Sequence, residues 1–168
     1  MTVLILDGYN VIHSWPDLLR LKESNLGHAR DKLIEEMINL QPLLGVEVEI
    51  FIVFDAYRLG GRDGGQEEQG GVRVIYTRRG ETADTCIERL VGELVAAGRE
   101  VVVVTGDWLE QRVVWGKGAL RLSPGGLKAL MLEVRREMEG YTGGWDYNPL
   151  DGHLSPRERT ILEKWRRG

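Results

Sequence analysis

At 168 residues the chain can form one sizeable core but not two, and 42% apolar with 29% charged residues is the make-up of an ordinary globular domain. A net charge of only −4 excludes a protein-wide basic field, so an anionic partner must be met by a local patch or a bridging cation. Cys86 is the only cysteine, which excludes an internal disulfide and the common zinc motifs. No apolar run approaches the ~20 residues of a membrane span, and the chain begins directly in a strand pattern without a basic leader, so a cytoplasmic location is expected.

The first apolar run, residues 2–6, ends abruptly in Asp7-Gly8-Tyr9-Asn10. After a loop, Leu33, Ile34, Met37 and Ile38 recur at one-face spacing and predict a helix over 27–41. Residues 47–54 are almost continuously apolar, as expected of a strand buried on both faces of a parallel sheet, and end in Asp55. Residues 59–71 hold six glycines and almost no apolar side chain, and read as a mobile surface loop. A short strand at 72–76 leads through Thr77-Arg78-Arg79-Gly80 to a helix over 82–97, capped by Thr82, with Ile87, Leu90, Val91, Leu94 and Val95 as its buried stripe. Cys86 lies in that helical pattern and reads as a reduced, partly buried thiol rather than a nucleophile. Four valines and a threonine at 101–105 form the next strand and run into Gly106-Asp107. A fifth strand is expected at 113–115, a helix from Ser123-Pro124, an extended connection over 140–154 and a last helix from Ser155.

Strands alternating with helices imply parallel pairing through right-handed crossovers. With the first strand central, the strands ending at Asp7, Asp55 and Asp107 lie side by side, at the edge where open α/β sheets collect ligands. Asp84, in the first turn of the helix after 72–76, points to the same edge, and Glu81 lies just before it. Carboxylates crowded in this way repel one another unless a cation compensates them, and Mg²⁺ or Mn²⁺ suits all-oxygen ligation. Phosphodiester hydrolysis is the leading chemistry. Structural roles compete with it: Asp55 also suits a turn, and Glu81 and Asp84 suit the acidic start of a helix.

Several blocks resemble a known family. Leu6-Asp7-Gly8-Tyr9-Asn10-Val11-Ile12 with Trp15-Pro16, Val53-Phe54-Asp55-Ala56, Gly80-Glu81-Thr82-Ala83-Asp84, Gly118-Ala119-Leu120-Arg121 and the ending Glu163-Lys164-Trp165-Arg166-Arg167-Gly168 are similar to the YacP-like branch of the NYN ribonucleases, within the PIN-like superfamily. The resemblance spans nearly the whole chain. It implies a single α/β PIN-like (NYN) domain over 1–140, its mostly parallel central sheet flanked by helices, with 141–168 as an extended connection and a C-terminal helix packed on the same domain. It also implies a metal-dependent endoribonuclease whose relatives act on messenger RNA in association with ribosomes. By position, Asp7, Asp84 and Asp107 correspond to the acidic metal-site residues, Asp55 and Glu81 are additional acids, and Asn10 is a polar partner holding the site. One departure is Gly106, where relatives carry serine, so a hydroxyl is missing beside the last acid.

Arg78 and Arg79 precede the acidic helix, and Arg58, Arg62, Arg112, Lys117 and Arg121 fall in or near loops on the same edge, where they would neutralise RNA phosphates. A solvated charged surface is the alternative for each. Tyr9, Trp15, Tyr57 and Trp108 follow strand ends, where an aromatic either stacks on a base or packs the core. Two other functions compete with the endoribonuclease. A non-catalytic RNA- or ribosome-binding module would bind without the acids. Phosphoryl transfer through an aspartyl nucleophile at Asp7 is weaker, since Tyr9 stands where a second acid is expected.

Overall fold

The computed structural model describes residues 1–56, 64–107 and 116–140. Strand β1 (Thr2–Asp7) is wholly buried and passes at Asp7 directly into helix α1 (Gly8–Ser14), because the Asp7 side chain caps that helix by accepting the Asn10 backbone N–H. Trp15 then separates α1 from α2 (Pro16–Ser24), which starts on proline, and Asn25 caps α3 (Leu26–Leu44). The expected loop between the first strand and the long helix is therefore two short helices. That long helix also continues past Pro42 to Gly45, whose φ of 91° ends it, three residues beyond the expected limit. Strands β2 (Val48–Phe54), β4 (Val72–Tyr76) and β5 (Glu100–Val104) and helix α4 (Ala83–Ala96) fall close to their expected bounds.

The glycine-rich segment differs from its expectation. Residues Gly65–Gln69 form strand β3, exposed at every position and held by antiparallel pairing to β4 rather than by burial. Gly70 and Gly71, with φ of 55° and 81°, make the two-residue reversal between them, a conformation that side-chain-bearing residues rarely adopt. At the other edge the last described strand is β6 (Leu120–Leu122), followed by α5 (Pro124–Met138) with Ser123 as its cap. The strand expected at 113–115, the connection over 140–154 apart from Gly140, and the C-terminal helix lie outside the described residues.

Among the described residues the chain is an α/β domain with six strands in the order β3-β4-β2-β1-β5-β6, parallel except for β3. Alternation along β1 divides the core in two. Leu4 and Leu6 face a cluster with the first three helices and α5, while Val3 and Ile5 face Cys86, Ile87 and Val91 of α4. Because β1 lies between β2 and β5, the segments that follow these three strands emerge together at one edge.

Candidate active site

Four aspartates lie at that edge. Asp7 ends β1, Asp55 follows β2, Asp107 lies three residues beyond β5, and Asp84 stands in the first turn of α4. Their proximity is electrostatic as well as topological. Asp7 is only 8% exposed, and its carboxyl is pushed up to about 6, first by burial and then by Asp84, Asp107 and Asp55, against the lowering pull of its hydrogen bond from Asn10. Asp84 reaches solvent, yet its carboxyl is also raised, by partial loss of water and by Asp107 and Asp55.

Short polar links hold these acids in place. Asp7 Oδ1 accepts the Asn10 N–H at 3.3 Å, and Asn10 Oδ1 accepts the Gly106 N–H at 2.7 Å, so one residue of α1 ties the end of β1 to the segment carrying Asp107. The buried Thr105 hydroxyl accepts the Asp107 N–H at 3.1 Å. On the other flank, the buried Thr77 hydroxyl accepts the Ala56 N–H at 2.9 Å and fixes the turn that bears Asp55. A Cβ at Gly8 would lie 2.3 Å from the fully buried Phe54 ring, so only glycine lets α1 begin this close to β2. At Gly106 an added Cβ would stand 3.2 Å from Asn10 Oδ1, and the absent side chain lets the backbone donate to Asn10.

The chemistry of this donor set fits a hard divalent cation. Asp7 and Asp84, both raised by burial and by neighbouring aspartates, are relieved by a positive ion, and oxygen ligands suit Mg²⁺ or Mn²⁺. Among the described residues no three acids, cysteines or histidines are grouped closely enough to enclose an ion on their own. Mg²⁺ typically keeps several waters and takes one or two carboxylates directly.

The other expected site residues are distributed differently. Glu81 has other partners: one oxygen accepts the Arg78 N–H at 3.3 Å and the other pairs with Arg89 at 3.3 Å. Arg78 and Arg79 are exposed in the turn before α4. Lys117 pairs with Glu88 at 3.0 Å, and Arg121 is exposed on edge strand β6. Arg58, Arg62, Arg112, Tyr57 and Trp108 lie outside the described residues. Tyr9 and Trp15 are packing residues: Tyr9 lies against Phe54 and accepts from Arg30, and the buried Trp15 indole donates to the Pro124 carbonyl at 2.8 Å. Thr77, Thr105 and Arg89 were not singled out from the sequence. A Thr-Gly-Asp run after a valine strand is a usable signal for Thr105, since a threonine hydroxyl readily takes the N–H two residues on.

Residues 4–167 match the family model of the YacP-like NYN domain. The chain is 36% identical over 170 residues to an uncharacterized protein of Bacillus subtilis (strain 168) named YacP, covering all of this chain and 98% of that protein. Crystal structures of Rae1 (YacP) from Bacillus subtilis superpose well. One is 34% identical with a TM-score of 0.69, covering all of this chain and 96% of the other. A tryptophan-to-leucine variant is 31% identical with a TM-score of 0.70, covering 97% of this chain and 91% of the other.

Proposed function

Because this chain belongs to the YacP-like NYN domain family, a nuclease-like, RNA-related group, we propose that it is a metal-dependent endoribonuclease whose catalytic acids are Asp7, Asp84 and Asp107. The observation that most supports this reading is the Asp7 carboxyl, buried and pushed up to about 6 beside three other aspartates at the ends of the central strands. The cap it makes on α1 needs only a neutral acceptor, whereas a buried carboxylate beside three others suits a cation-binding centre. Asp7, Asp84 and Asp107, with Asp55 adjoining, would hold one or two Mg²⁺ or Mn²⁺ ions. Bound there, the metal supplies an activated water and neutralises charge on the phosphate under attack.

The chain's own residues supply position. Asn10 and Thr105 hold the Asp107 segment against Asp7, and Thr77 holds that of Asp55, so the carboxylates meet the substrate already oriented. Arg78 and Arg79, exposed beside the acidic helix, are assigned to RNA phosphates, with Lys117 and Arg121 on the opposite flank. Glu81 belongs to the Arg89 pair rather than to the ion. The substrate we assign is messenger RNA on the ribosome, in the cytoplasm. No helix among the described residues is long and apolar enough to cross a membrane.

The test is cleavage of free RNA and of polysomes with Mn²⁺ or Mg²⁺, comparing wild type with Asp7→Asn and with an EDTA control. Cleavage lost in both controls is the expected result, and a preference for polysomes assigns the ribosome-bound message. Ribosome binding that is equal in wild type and Asp7→Asn, with no cleavage of either pool, would replace the enzyme with a binding module.

A further inference from the structure

Beside the four aspartates lies a groove that the acidic centre does not use. It encloses about 840 Å³ between the β3–β4 edge of the sheet and helix α4, within the size range of ligand sites. Among the described residues Arg78, Arg79 and Arg89 line it with Glu81 as the one acid, although the chain as a whole carries a net charge of −4. Ile75 and Tyr76 supply half-buried apolar and aromatic surface between these charges, and Gln66 of β3 provides amide groups on the far wall.

The groove adjoins the acids. Strand β4 pairs directly with β2, so it begins about 5 Å, one strand spacing, from the strand leading to Asp55. Glu81 precedes Asp84 by three residues, and Cys86 and Arg89 project from the same helix, so α4 separates the acidic centre from the groove by its own width.

Arg89 is held in place without being fully engaged. Its contacts to Glu81 and Glu93 are 3.3 and 3.5 Å, longer than the ~2.7–2.9 Å of a strong charge-assisted bond. Arg135–Glu36 at 2.7 Å and Arg99–Glu49 at 2.9 Å show the tighter pairing this chain makes elsewhere. Half of the Arg89 side chain is exposed, and the five N–H groups of a guanidinium leave donors for a phosphate. The buried Cys86 thiol on the same wall is pushed up by burial and stays neutral at physiological pH, adding no negative charge.

We propose that this groove binds the single-stranded RNA flanking the cleaved bond, with Arg89 as a phosphate-binding residue and Glu81 as the positioning residue that aims it. The proposal rests on the endoribonuclease reading above. A polyanion with flat bases matches guanidiniums interleaved with an aromatic and an apolar side chain, and the recognition is independent of base identity.

The experiment measures binding of labelled oligoribonucleotides, from a dinucleotide to a dodecamer, over a range of salt concentrations in the non-cleaving Asp7→Asn background. Arg89→Gln and Gln66→Glu both alter exposed groove positions outside the acidic centre. Each should weaken dodecamer binding about fivefold and leave the dinucleotide unchanged. Arg89→Gln should also lower the slope of log affinity against log salt by about 0.7, the single-strand value for one phosphate contact, and Arg89→Lys should restore it. Unchanged affinities and slopes at every length, in a protein whose Asp7-containing form cleaves RNA, would overturn the groove and leave the nuclease standing. The expected slope change in a protein that cleaves nothing would overturn the nuclease and leave the groove as an RNA site.

Discussion

Asp7→Asn separates the strain that this carboxylate places on the fold from its use with a metal. In the native protein the group titrates near 6 instead of 3.8, so the folded state holds its proton more tightly than the unfolded chain does. A raised carboxyl favours folding at low pH. Its contribution is complete below about 3.8 and is lost as pH rises through about 6. Two pK units at 1.36 kcal/mol each make the loss about 3 kcal/mol by pH 7.5. Asparagine is neutral, and its Oδ1 still accepts the Asn10 N–H, so the cap of α1 survives. In EDTA at pH 7.5 the variant should therefore be more stable than wild type by about 1–3 kcal/mol, or roughly 2–12 °C in melting temperature for a domain of this size. The two curves should converge near pH 4. Mn²⁺ at about a thousandfold excess over Kd should reverse the order, stabilising wild type by about 4.1 kcal/mol and leaving the variant nearly unchanged. Circular-dichroism melts between pH 4 and 8, with and without metal, read all of this. A variant less stable than wild type in EDTA at pH 7.5, or a difference independent of pH, would refute the reasoning.

Gly8→Ala must push a methyl group into the fully buried Phe54 ring, so urea denaturation should show a loss of about 1–3 kcal/mol together with a fall in RNA cleavage as Asp7 and Asp55 shift. Asn10→Ala removes the acceptor of the exposed Gly106 N–H, which water replaces; stability should change by less than about 1 kcal/mol, while single-turnover cleavage slows at least about tenfold because the Asp107 segment loses its anchor. Thr77→Val leaves the Ala56 N–H without its partner, for an expected loss of about 1–3 kcal/mol by thermal melt. Metal affinity measured by calorimetry should rise between pH 5 and 7, as the Asp7 proton stops competing with the cation.

What the sequence reveals here depends on where each signal originates. Asp7, Asp55 and Asp107 are legible because each ends or follows a continuously apolar strand, and the strand order then brings them together. Asp84 is legible because Thr82 marks the start of its helix. Strand β3 is not, since Gly-Gln-Glu-Glu-Gln contains no apolar residue and owes its conformation to β4, and its glycine-rich surroundings read as a loop. Helices α1 and α2 are too short to display a periodic face, and the cap of α1 is a residue already assigned to the acidic centre. Glu81 shows the limit of adjacency. It precedes Asp84 by three residues, yet its carboxylate pairs with Arg78 and Arg89, and a partner eight positions along the chain leaves no mark in a motif.

The placement of β1 at the middle of the sheet also governs when the four aspartates can meet. Thr2 of β1 hydrogen-bonds Glu100 of β5, 98 positions later, so β1 stays unpaired on that side until most of the chain has been made. At roughly 5–20 residues per second, the interval between the appearance of Asp55 and that of Asp107 is about 3–10 s, during which only part of the carboxylate cluster exists. A growing chain of this protein therefore passes through most of its synthesis without the complete acidic centre, and acquires it only when the strand order closes.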